Sequence, residues 1–428
     1  MIKKLSLVCI FMLIALNIFS NPVKASSGPP VPSADSAVLM NAVTGEILYA
    51  KNPNNAYPPA STTKILTTLL TLENCELDEI LTVGEGPAQA EGSSIYLLPG
   101  EQLTVRDVLY GLNLQSGNDC AEALAEHIAG SVENFAEMMN KRARELGCEN
   151  SNFRNPSGLY DKDHRTSAKD LALILKELIK YPEYLEIAST MTHIIEPNNK
   201  STETRYVWNK NKLLQPSSKY YYKGAWAGKT GYTTQSQHSY VAVAERDGQI
   251  LIVTLVHDSS ADYYQDTINL FNYGFSNFKT NNFINKNEIL TNYTLNDNTT
   301  IPVIAGDNFF YTTYVNSDSK ASFKLNLLEE TLNSSSIKAG DKIGSADILL
   351  DGKTIGSMEV FSGADHVVEQ KMLFHSASVL KVEDKSINLN LFYIIGSILV
   401  FLLILIAIKN KQILSEFFYK FKRKRADN

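Results

Sequence analysis

The sequence predicts an α/β domain, an antiparallel sheet flanked by helices, followed by a small all-β domain and a C-terminal transmembrane helix. Residues 119–146 and 167–179 carry apolar side chains at helical spacing. Two apolar runs on either side of Asp247-Gly248 predict a β-hairpin. Residues 391–408 form an uncharged apolar stretch of the length that a helix needs to cross a bilayer.

The N-terminal residues 1–25 are predicted to be a signal peptide. Two lysines precede an apolar run at residues 5–19, and Val23 and Ala25 supply the small side chains of a cleavage site. We therefore expect the mature chain to begin at residue 26 and to be exported.

The basic tail, residues 409–428, sets the predicted orientation. Its lysines and arginines directly follow the apolar span, and such positive flanks stay in the cytoplasm. Its apolar side chains lie opposite lysines, as in a helix on an anionic membrane surface. We therefore expect a single-pass cell-membrane protein whose folded domains lie outside the cytoplasm. The net charge of −6 agrees with a chain that does not bind nucleic acid.

Two folded units fit the exported part by size. The first is expected at residues 26–280, where an Asn- and Lys-rich linker at about residues 277–287 ends it. The second, residues 284–382, alternates strand-like segments with turns, which predicts an all-β domain that serves as a spacer or a docking surface. Three cysteines follow residue 25, and an odd number gives no disulfide framework.

Ser61 and Lys64 form a Ser-x-x-Lys motif at the start of a predicted helix. The lysine lies one helical turn after the serine, so its amine can reach the hydroxyl. A lysine activates a serine only if its pKa falls well below about 10.4. Burial and a second cation, Lys229, would both lower it. Other pairs at this spacing, such as Ser276 and Lys279, have no partner motifs after them.

The second motif, Ser116-Gly117-Asn118, comes before a predicted helix. Gly117 favours a turn there. Ser116 is a candidate to relay a proton to a leaving amine, and the Asn118 amide can bind a substrate peptide group through its donor and its acceptor. Taken alone, the motif is typical of a helix cap.

The third motif, Lys229-Thr230-Gly231, lies on a predicted strand just before the hairpin. A lysine and a threonine hydroxyl suit a substrate carboxylate, and a glycine at 231 allows an extended substrate to lie against the strand edge. The sequence has no Gly-x-Ser-x-Gly, His-Glu-x-x-His or Cys-x-x-Cys, which disfavours an esterase elbow, a zincin and a thiol redox site. We expect no metal and no organic cofactor.

With these three motifs in order, the chain resembles the low-molecular-weight penicillin-binding proteins, which are serine-type D-alanyl-D-alanine carboxypeptidases. Further stretches are similar to family signatures: residues 92–112, 155–159, 166–172 and 209–214. The resemblance covers residues 30 to 280 strongly. It implies a β-lactamase/transpeptidase-like catalytic domain, with peptidoglycan stem peptides as substrates and β-lactam antibiotics as covalent inhibitors.

The resemblance also implies a role for each motif residue. Ser61 is the acylated nucleophile, Lys64 its general base and Ser116 the relay. Asn118, Lys229, Thr230 and Gly231 bind the substrate, and the backbone N–H groups of Ser61 and Tyr232 form the oxyanion hole. The implied reaction removes the terminal D-alanine from stem pentapeptides through an acyl-enzyme on Ser61.

Three alternatives share the same residues. A D,D-endopeptidase would cut cross-links with them, and a non-enzymatic wall sensor would keep the fold without turnover. A class A β-lactamase needs a Glu-x-x-Leu-Asn run between Asn118 and Lys229, and the sequence has none. The chain also departs from many relatives, because no lysine or arginine occurs between Arg246 and Lys279; His257 is a candidate substitute.

Overall fold

The computed structural model describes residues 28–334 and 336–367. The predicted signal peptide at 1–25, the predicted span at 391–408 and the tail at 409–428 lie outside the described residues, as does the end of the predicted all-β domain. Within the part that is described, no helix combines the length and the apolar character that crossing a bilayer requires.

The first domain is built from nine strands and seven helices among the described residues. In chain order they are β1 (Ser36–Asn41), β2 (Ile47–Lys51), α1 (Lys64–Asn74), β3 (Ile80–Thr82), β4 (Gln102–Thr104), α2 (Val105–Tyr110), α3 (Asn118–Ala129), α4 (Val132–Glu145), α5 (Ala168–Leu178), α6 (Pro182–Ser189), β5 (Thr192–Ile195), β6 (Arg205–Trp208), β7 (Ala225–Thr233), β8 (Gln237–Arg246), β9 (Gln249–Asp258) and α7 (Tyr263–Asn277).

The central sheet is antiparallel and has the order β2-β1-β9-β8-β7. The predicted hairpin is β8 and β9, which meet at Asp247-Gly248. Strand β7 lies at the edge of this sheet, so no other strand of the sheet, within the described residues, pairs with the backbone groups of its outer side.

Helices cover both faces of the central sheet. Side chains alternate between the two faces of a strand, and Val38 and Met40 pack in one apolar cluster with α1 and α5, whereas Ala37 and Leu39 pack in another with α7. The prediction of a sheet flanked by helices is confirmed.

The predicted helical stretch at 119–146 is two helices rather than one. Helix α3 ends at Gly130, whose φ of +77° suits glycine, and the Ser131 side chain accepts a hydrogen bond from the backbone N–H of Asn134 to cap α4. Ser167 caps α5 in the same way through the N–H of Asp170.

The second domain continues directly from α7. Its elements are β10 (Phe278–Ile284), β11 (Ile289–Thr294), β12 (Thr300–Ala305), β13 (Phe309–Tyr314), β14 (Ala321–Leu327), α8 (Glu329–Leu332), β15 (Ser336–Ile337), β16 (Lys342–Leu350), β17 (Lys353–Ser362) and β18 (His366–Val367). Its main sheet has the order β11-β12-β17-β16-β14 around an apolar cluster of its own. The prediction of an all-β domain holds, apart from the single turn of α8.

Candidate active site

Ser61 lies in a 3₁₀ turn, Ala60–Thr63, that leads into α1. The turn starts with Ala60 at a φ of +50°, an unusual conformation for a residue with a side chain. The predicted helix therefore begins one turn later than its motif serine, at Lys64. The Nζ atom of Lys64 still lies 3.0 Å from the Oγ atom of Ser61.

The Lys64 amine is completely buried and has three partners. Besides Ser61, its Nζ lies 2.6 Å from the Oδ1 of Asn118 and 2.6 Å from the carbonyl oxygen of Ser157. An ammonium group has three N–H donors, so these partners satisfy all of them. Both the amide oxygen and the carbonyl can only accept, whereas the Ser61 hydroxyl can also donate.

Two effects lower the pKa of Lys64 well below its usual value. The larger is burial, which disfavours the charged amine, and the second is repulsion by Lys229. Burial also lowers the pKa of Lys229, to about 7, and the positive charge of Lys210 adds to this effect. The second cation that the sequence led us to expect therefore lies where it acts on Lys64.

Ser116 lies at the end of a single π-type turn, Gly111–Gln115, immediately before α3. Its φ is +63°, whereas Gly117 has an ordinary φ of −55°. The left-handed residue of the predicted turn is thus the serine and not the glycine. The Nζ of Lys229 lies 2.8 Å from the Ser116 Oγ and holds this hydroxyl in place.

Asn118 begins α3 and is held by backbone groups. Its backbone N–H donates to the carbonyl of Ser93, and its Nδ2 donates to the carbonyl of Glu91 at 2.5 Å. Because the Oδ1 accepts a hydrogen bond from Lys64, the oxygen and the nitrogen of the amide each already have one partner. One N–H of the amide and one lone pair remain for a substrate peptide group.

Asp119, next to this asparagine, fixes the loop at residues 94–97. Its carboxylate accepts hydrogen bonds from the Ser94 hydroxyl at 2.6 Å and from the backbone N–H groups of Ile95 and Leu97. This buried carboxylate had no role in the sequence-based prediction. The family-like stretch at residues 92–112 contains its partners, but nothing in the sequence pairs them with position 119.

Gly231 lies where the edge strand β7 meets the turn that carries Ser61. A Cβ atom added at Gly231 would lie 2.8 Å from the carbonyl oxygen of Pro59 and 2.9 Å from the backbone nitrogen of Ser61. The glycine is therefore needed for close packing of the protein's own backbone, in addition to any contact with a substrate. This packing places the amides of residues 61 and 232 on two segments in direct contact.

Lys229, Thr230 and Ser116 line one small cavity beside β7, together with Lys210. Lys229 is nearly fully buried, and its Nζ also donates to the Thr230 carbonyl at 3.0 Å. Lys210 donates to the Gln115 carbonyl at 3.1 Å, and burial lowers its pKa. The sequence marked residues 209–214 as a family-like stretch without predicting that Lys210 lies at the cavity.

Residues 155–159 enclose the buried amine from the other side. Ser157 contributes its carbonyl oxygen to Lys64, and Gly158 has a φ of +82°. A Cβ atom at Gly158 would overlap the carbonyl group of Ala60. This stretch resembles a family signature in the sequence, but its contact with Lys64 could not be predicted. Every residue has a backbone carbonyl, so the sequence does not indicate which one binds the amine.

His257, the candidate substitute for an arginine, has other partners. Its Nδ1 lies 2.6 Å from a carboxylate oxygen of Asp35, and its ring stacks on Tyr57 at 4.7 Å between centroids. His257 is not among the residues that line the cavity of Lys229 and Thr230, whereas Lys210 is.

The comparisons with known proteins agree with this geometry. A family model described as D-alanyl-D-alanine carboxypeptidase matches residues 23–261, and one described as the C-terminal domain of penicillin-binding protein 5 matches residues 278–368. The chain is 35% identical to the D-alanyl-D-alanine carboxypeptidase DacF of Bacillus subtilis over 60% of its own length and 65% of DacF. It is 28% identical to DacA of Haemophilus influenzae over 80% and 88% of the two chains.

Solved structures give the same result. The structure of penicillin-binding protein 5 from Haemophilus influenzae superposes with a TM-score of 0.67 at 29% identity, covering 79% of this chain and 99% of that one. A D-alanyl-D-alanine carboxypeptidase from Mycobacterium tuberculosis superposes with a TM-score of 0.54 at 29% identity, over 59% and 94%. The chain belongs to the D-alanyl-D-alanine carboxypeptidase family of serine peptidases.

Proposed function

We propose that this protein is a penicillin-sensitive serine D,D-carboxypeptidase that removes the terminal D-alanine from peptidoglycan stem pentapeptides. Its family membership supports a serine peptidase, and the three motifs converge on one site. The observation that carries the proposal is the environment of the Lys64 amine, because burial and the nearby Lys229 lower its pKa while its Nζ lies within hydrogen-bond distance of the Ser61 hydroxyl.

The partners of Lys64 determine how a neutral amine is oriented. A neutral amine has two N–H groups and one lone pair. The Asn118 oxygen and the Ser157 carbonyl can only accept, so they take the two N–H groups. The lone pair is left facing the Ser61 hydroxyl at 3.0 Å, which then becomes the donor. In this arrangement the lone pair of Lys64, the proposed base, points at the hydroxyl of Ser61, the proposed nucleophile.

The proposed reaction begins when Lys64 takes the proton of Ser61 and the Oγ attacks the carbonyl carbon of the D-Ala-D-Ala amide. The backbone N–H groups of Ser61 and Tyr232 stabilise the resulting oxyanion. Loss of such a donor typically costs about 3 to 4 kcal/mol of transition-state stabilisation. The close packing at Gly231 keeps these two backbone segments together.

The leaving D-alanine needs a proton on its amine and a partner for its carboxylate. Ser116 is proposed to deliver the proton, since its hydroxyl is held by Lys229 in the cavity beside β7. Lys229 and Thr230 are proposed to bind the carboxylate, and Lys210 adds positive potential there. Water then hydrolyses the acyl-enzyme. A β-lactam that enters the same site would leave a long-lived acyl group on Ser61.

The test uses the full chain purified in detergent and follows two products, the penicillin adduct on the protein and the released D-alanine. The protein is incubated with a penicillin and, separately, with a peptide ending in D-Ala-D-Ala, and adduct mass and free D-alanine are measured. We expect an adduct on Ser61 and release of D-alanine, both absent from Ser61→Ala. Ser276→Ala is a matched control, because exposed Ser276 has a lysine at the same spacing.

Other outcomes would reassign the activity. An adduct without D-alanine release would point to an endopeptidase or a wall sensor, and rapid drug hydrolysis would point to a β-lactamase. An adduct that persists in Ser61→Ala would exclude Ser61 as the nucleophile.

We also propose that residues 391–408 anchor the protein in the cell membrane, with the catalytic domain outside and residues 409–428 in the cytoplasm. The length of the apolar stretch and the basic residues after it support this. Protease added to intact cells should digest the folded domains and leave a C-terminal epitope tag protected. Digestion of the tag with protection of the domains would reverse the orientation, and digestion of both would exclude the anchor.

A further inference from the structure

A second group of reactive side chains lies away from the proposed active site, at the opposite ends of the helices that form it. Cys75 ends α1, Glu79 precedes β3, and His127 lies in the last turn of α3. The sulfur, a carboxylate oxygen and a ring nitrogen of these residues all lie within 4.8 Å of one another. No other trio of this kind occurs in residues 28–334 and 336–367.

We propose that Cys75, Glu79 and His127 bind one zinc ion. Thiolate sulfur, imidazole nitrogen and carboxylate oxygen are the zinc ligands of proteins, at about 2.0 to 2.3 Å from the metal. Tetrahedral coordination at those lengths sets ligand atoms roughly 3 to 4 Å apart. The three ligand atoms here lie within 4.8 Å of one another, which is close to that spacing. Side-chain rotations alone can therefore bring them to a common ion.

The backbone already fixes the positions of the ligands. The N–H of Cys75 donates to the Thr71 carbonyl at 3.0 Å, which ends α1. Glu79 donates its N–H to the Glu76 carbonyl, and its own carbonyl accepts from the N–H of Val105 at 2.9 Å. His127 is held by the helical hydrogen bonds of α3. No segment has to refold for the ion to bind.

Exposure leaves a path for the ion and room for a fourth ligand. Cys75 is half-buried against apolar neighbours, whereas the side chains of His127 and Glu79 are 21% and 44% exposed. A water molecule can therefore complete the coordination from the solvent side. When zinc binds, the Cys75 thiol gives its proton to solvent, the sulfur–zinc bond forms, and no electron is transferred.

The simpler interpretation is an ion pair between His127 and Glu79, which lie 2.9 Å apart. The chain provides a matched case of that kind. His193 lies 2.6 Å from Asp107, also on the surface of the first domain, and has no cysteine in its group. A His–carboxylate pair alone should not bind zinc with thiolate coordination, so His193 serves as the control.

The proposed ion would connect the far ends of α1 and α3. Their near ends are already joined, because Lys64 begins α1, Asn118 begins α3, and their side chains are hydrogen-bonded at 2.6 Å. Zinc would therefore tie the two helices at both ends. A ligand that binds only the folded state raises its stability, so zinc should raise the thermal midpoint of the protein.

The experiment uses the full chain in detergent, kept reduced with a phosphine, and titrated with Co²⁺ as a spectroscopic probe. We expect one equivalent to produce a thiolate-to-cobalt charge-transfer band in the near ultraviolet, which Zn²⁺ abolishes by displacement. Cys75→Ser should lose the band. His127→Asn and Glu79→Gln should weaken binding by roughly tenfold or more, while His193→Asn should bind as the parent does.

Two results would overturn the proposal: absence of the band in the parent protein, or a band that survives in Cys75→Ser. Circular dichroism of each variant separates loss of binding from loss of folding. If Cys75→Ser does not fold, the test compares Co²⁺ binding by the His127→Asn, Glu79→Gln and His193→Asn variants. Equal affinity in all three would also overturn the proposal. A rise in thermal midpoint with Zn²⁺ should occur in the parent and in His193→Asn only.

Discussion

The Nζ of Lys229 lies 2.8 Å from the Oγ of Ser116, and the same buried amine lowers the pKa of Lys64. One lysine on the edge strand therefore acts on both other motifs. It positions the hydroxyl of the second motif and helps to keep the amine of the first motif neutral.

The charge of Lys229 should set the alkaline side of the pH profile. Its pKa is lowered to about 7, mainly by burial, so the amine loses its charge as the pH rises through that value. A substrate carboxylate then loses its partner. We expect kcat/KM for a peptide ending in D-alanine to fall above about pH 7. Lys229→Arg keeps its charge and should remove this alkaline decline, at a lower maximum rate.

Steady-state kinetics across neutral and alkaline pH would check this, because kcat/KM reports the free enzyme. If Lys229→Arg keeps the decline of the parent enzyme, another group is responsible for it.

Asn118→Asp should disable the base without removing it. A carboxylate at 2.6 Å from the Lys64 amine favours its charged form and raises the pKa of Lys64. Acylation by a penicillin at neutral pH should fall by roughly 100-fold or more and recover as the pH rises. Asn118→Ala removes the same hydrogen bond without adding a charge, so it should lower the rate with no comparable pH shift. Stopped-flow acylation rates at several pH values distinguish the two.

Gly231→Ala should slow acylation through the backbone. The added Cβ meets the Pro59 carbonyl oxygen at 2.8 Å and the Ser61 nitrogen at 2.9 Å, so one segment must move. Because an oxyanion donor is displaced, we expect a loss of about 100-fold in acylation rate with the fold retained. The control is Gly248→Asn, since a Cβ there meets nothing within 4 Å and asparagine tolerates its φ of +80°.

Acylation is measured by penicillin labelling and folding by circular dichroism. A Gly231→Ala protein that acylates at the rate of the control would show that the strand and the turn can separate without cost to the reaction.

His164 should make the fold sensitive to acid. The N–H of Arg154 donates to its Nδ1 at 3.2 Å, so the proton lies on Nε2, which donates to the Thr63 hydroxyl at 2.9 Å. Burial lowers the pKa of His164 to about 4. The unfolded state therefore binds more protons between pH 6.5 and 4, and stability is lost as the pH falls through that window, by roughly 3 kcal/mol.

Urea unfolding at several pH values measures this loss. In His164→Gln the decline between pH 6.5 and 4 should be smaller, although the variant starts from a lower stability. His238→Gln should decline as the parent does, and equal slopes for all three proteins would assign the acid sensitivity to other groups.

The helices, the hairpin and the all-β domain could be predicted because their signals are local. Apolar spacing predicted α5 within one residue at each end, and Asp247-Gly248 marked the turn between β8 and β9. The break between α3 and α4 was missed, because Gly130-Ser131 lies inside a continuous helical pattern. The π-type turn before Ser116 has no sequence signature of its own.

The sequence by itself determined the order of the three motifs, the family they resemble and the alternation of helices and strands, because each depends on residue identity and short-range spacing. The tertiary structure decided which groups meet at the proposed active site. Ser157 accepts a hydrogen bond from Lys64 through its backbone carbonyl, and Gly231 lacks a side chain that would push the Ser61 turn away. The positive charge of Lys210 helps to lower the pKa of Lys229. Such contacts join residues far apart in sequence, so only the folded chain specifies them.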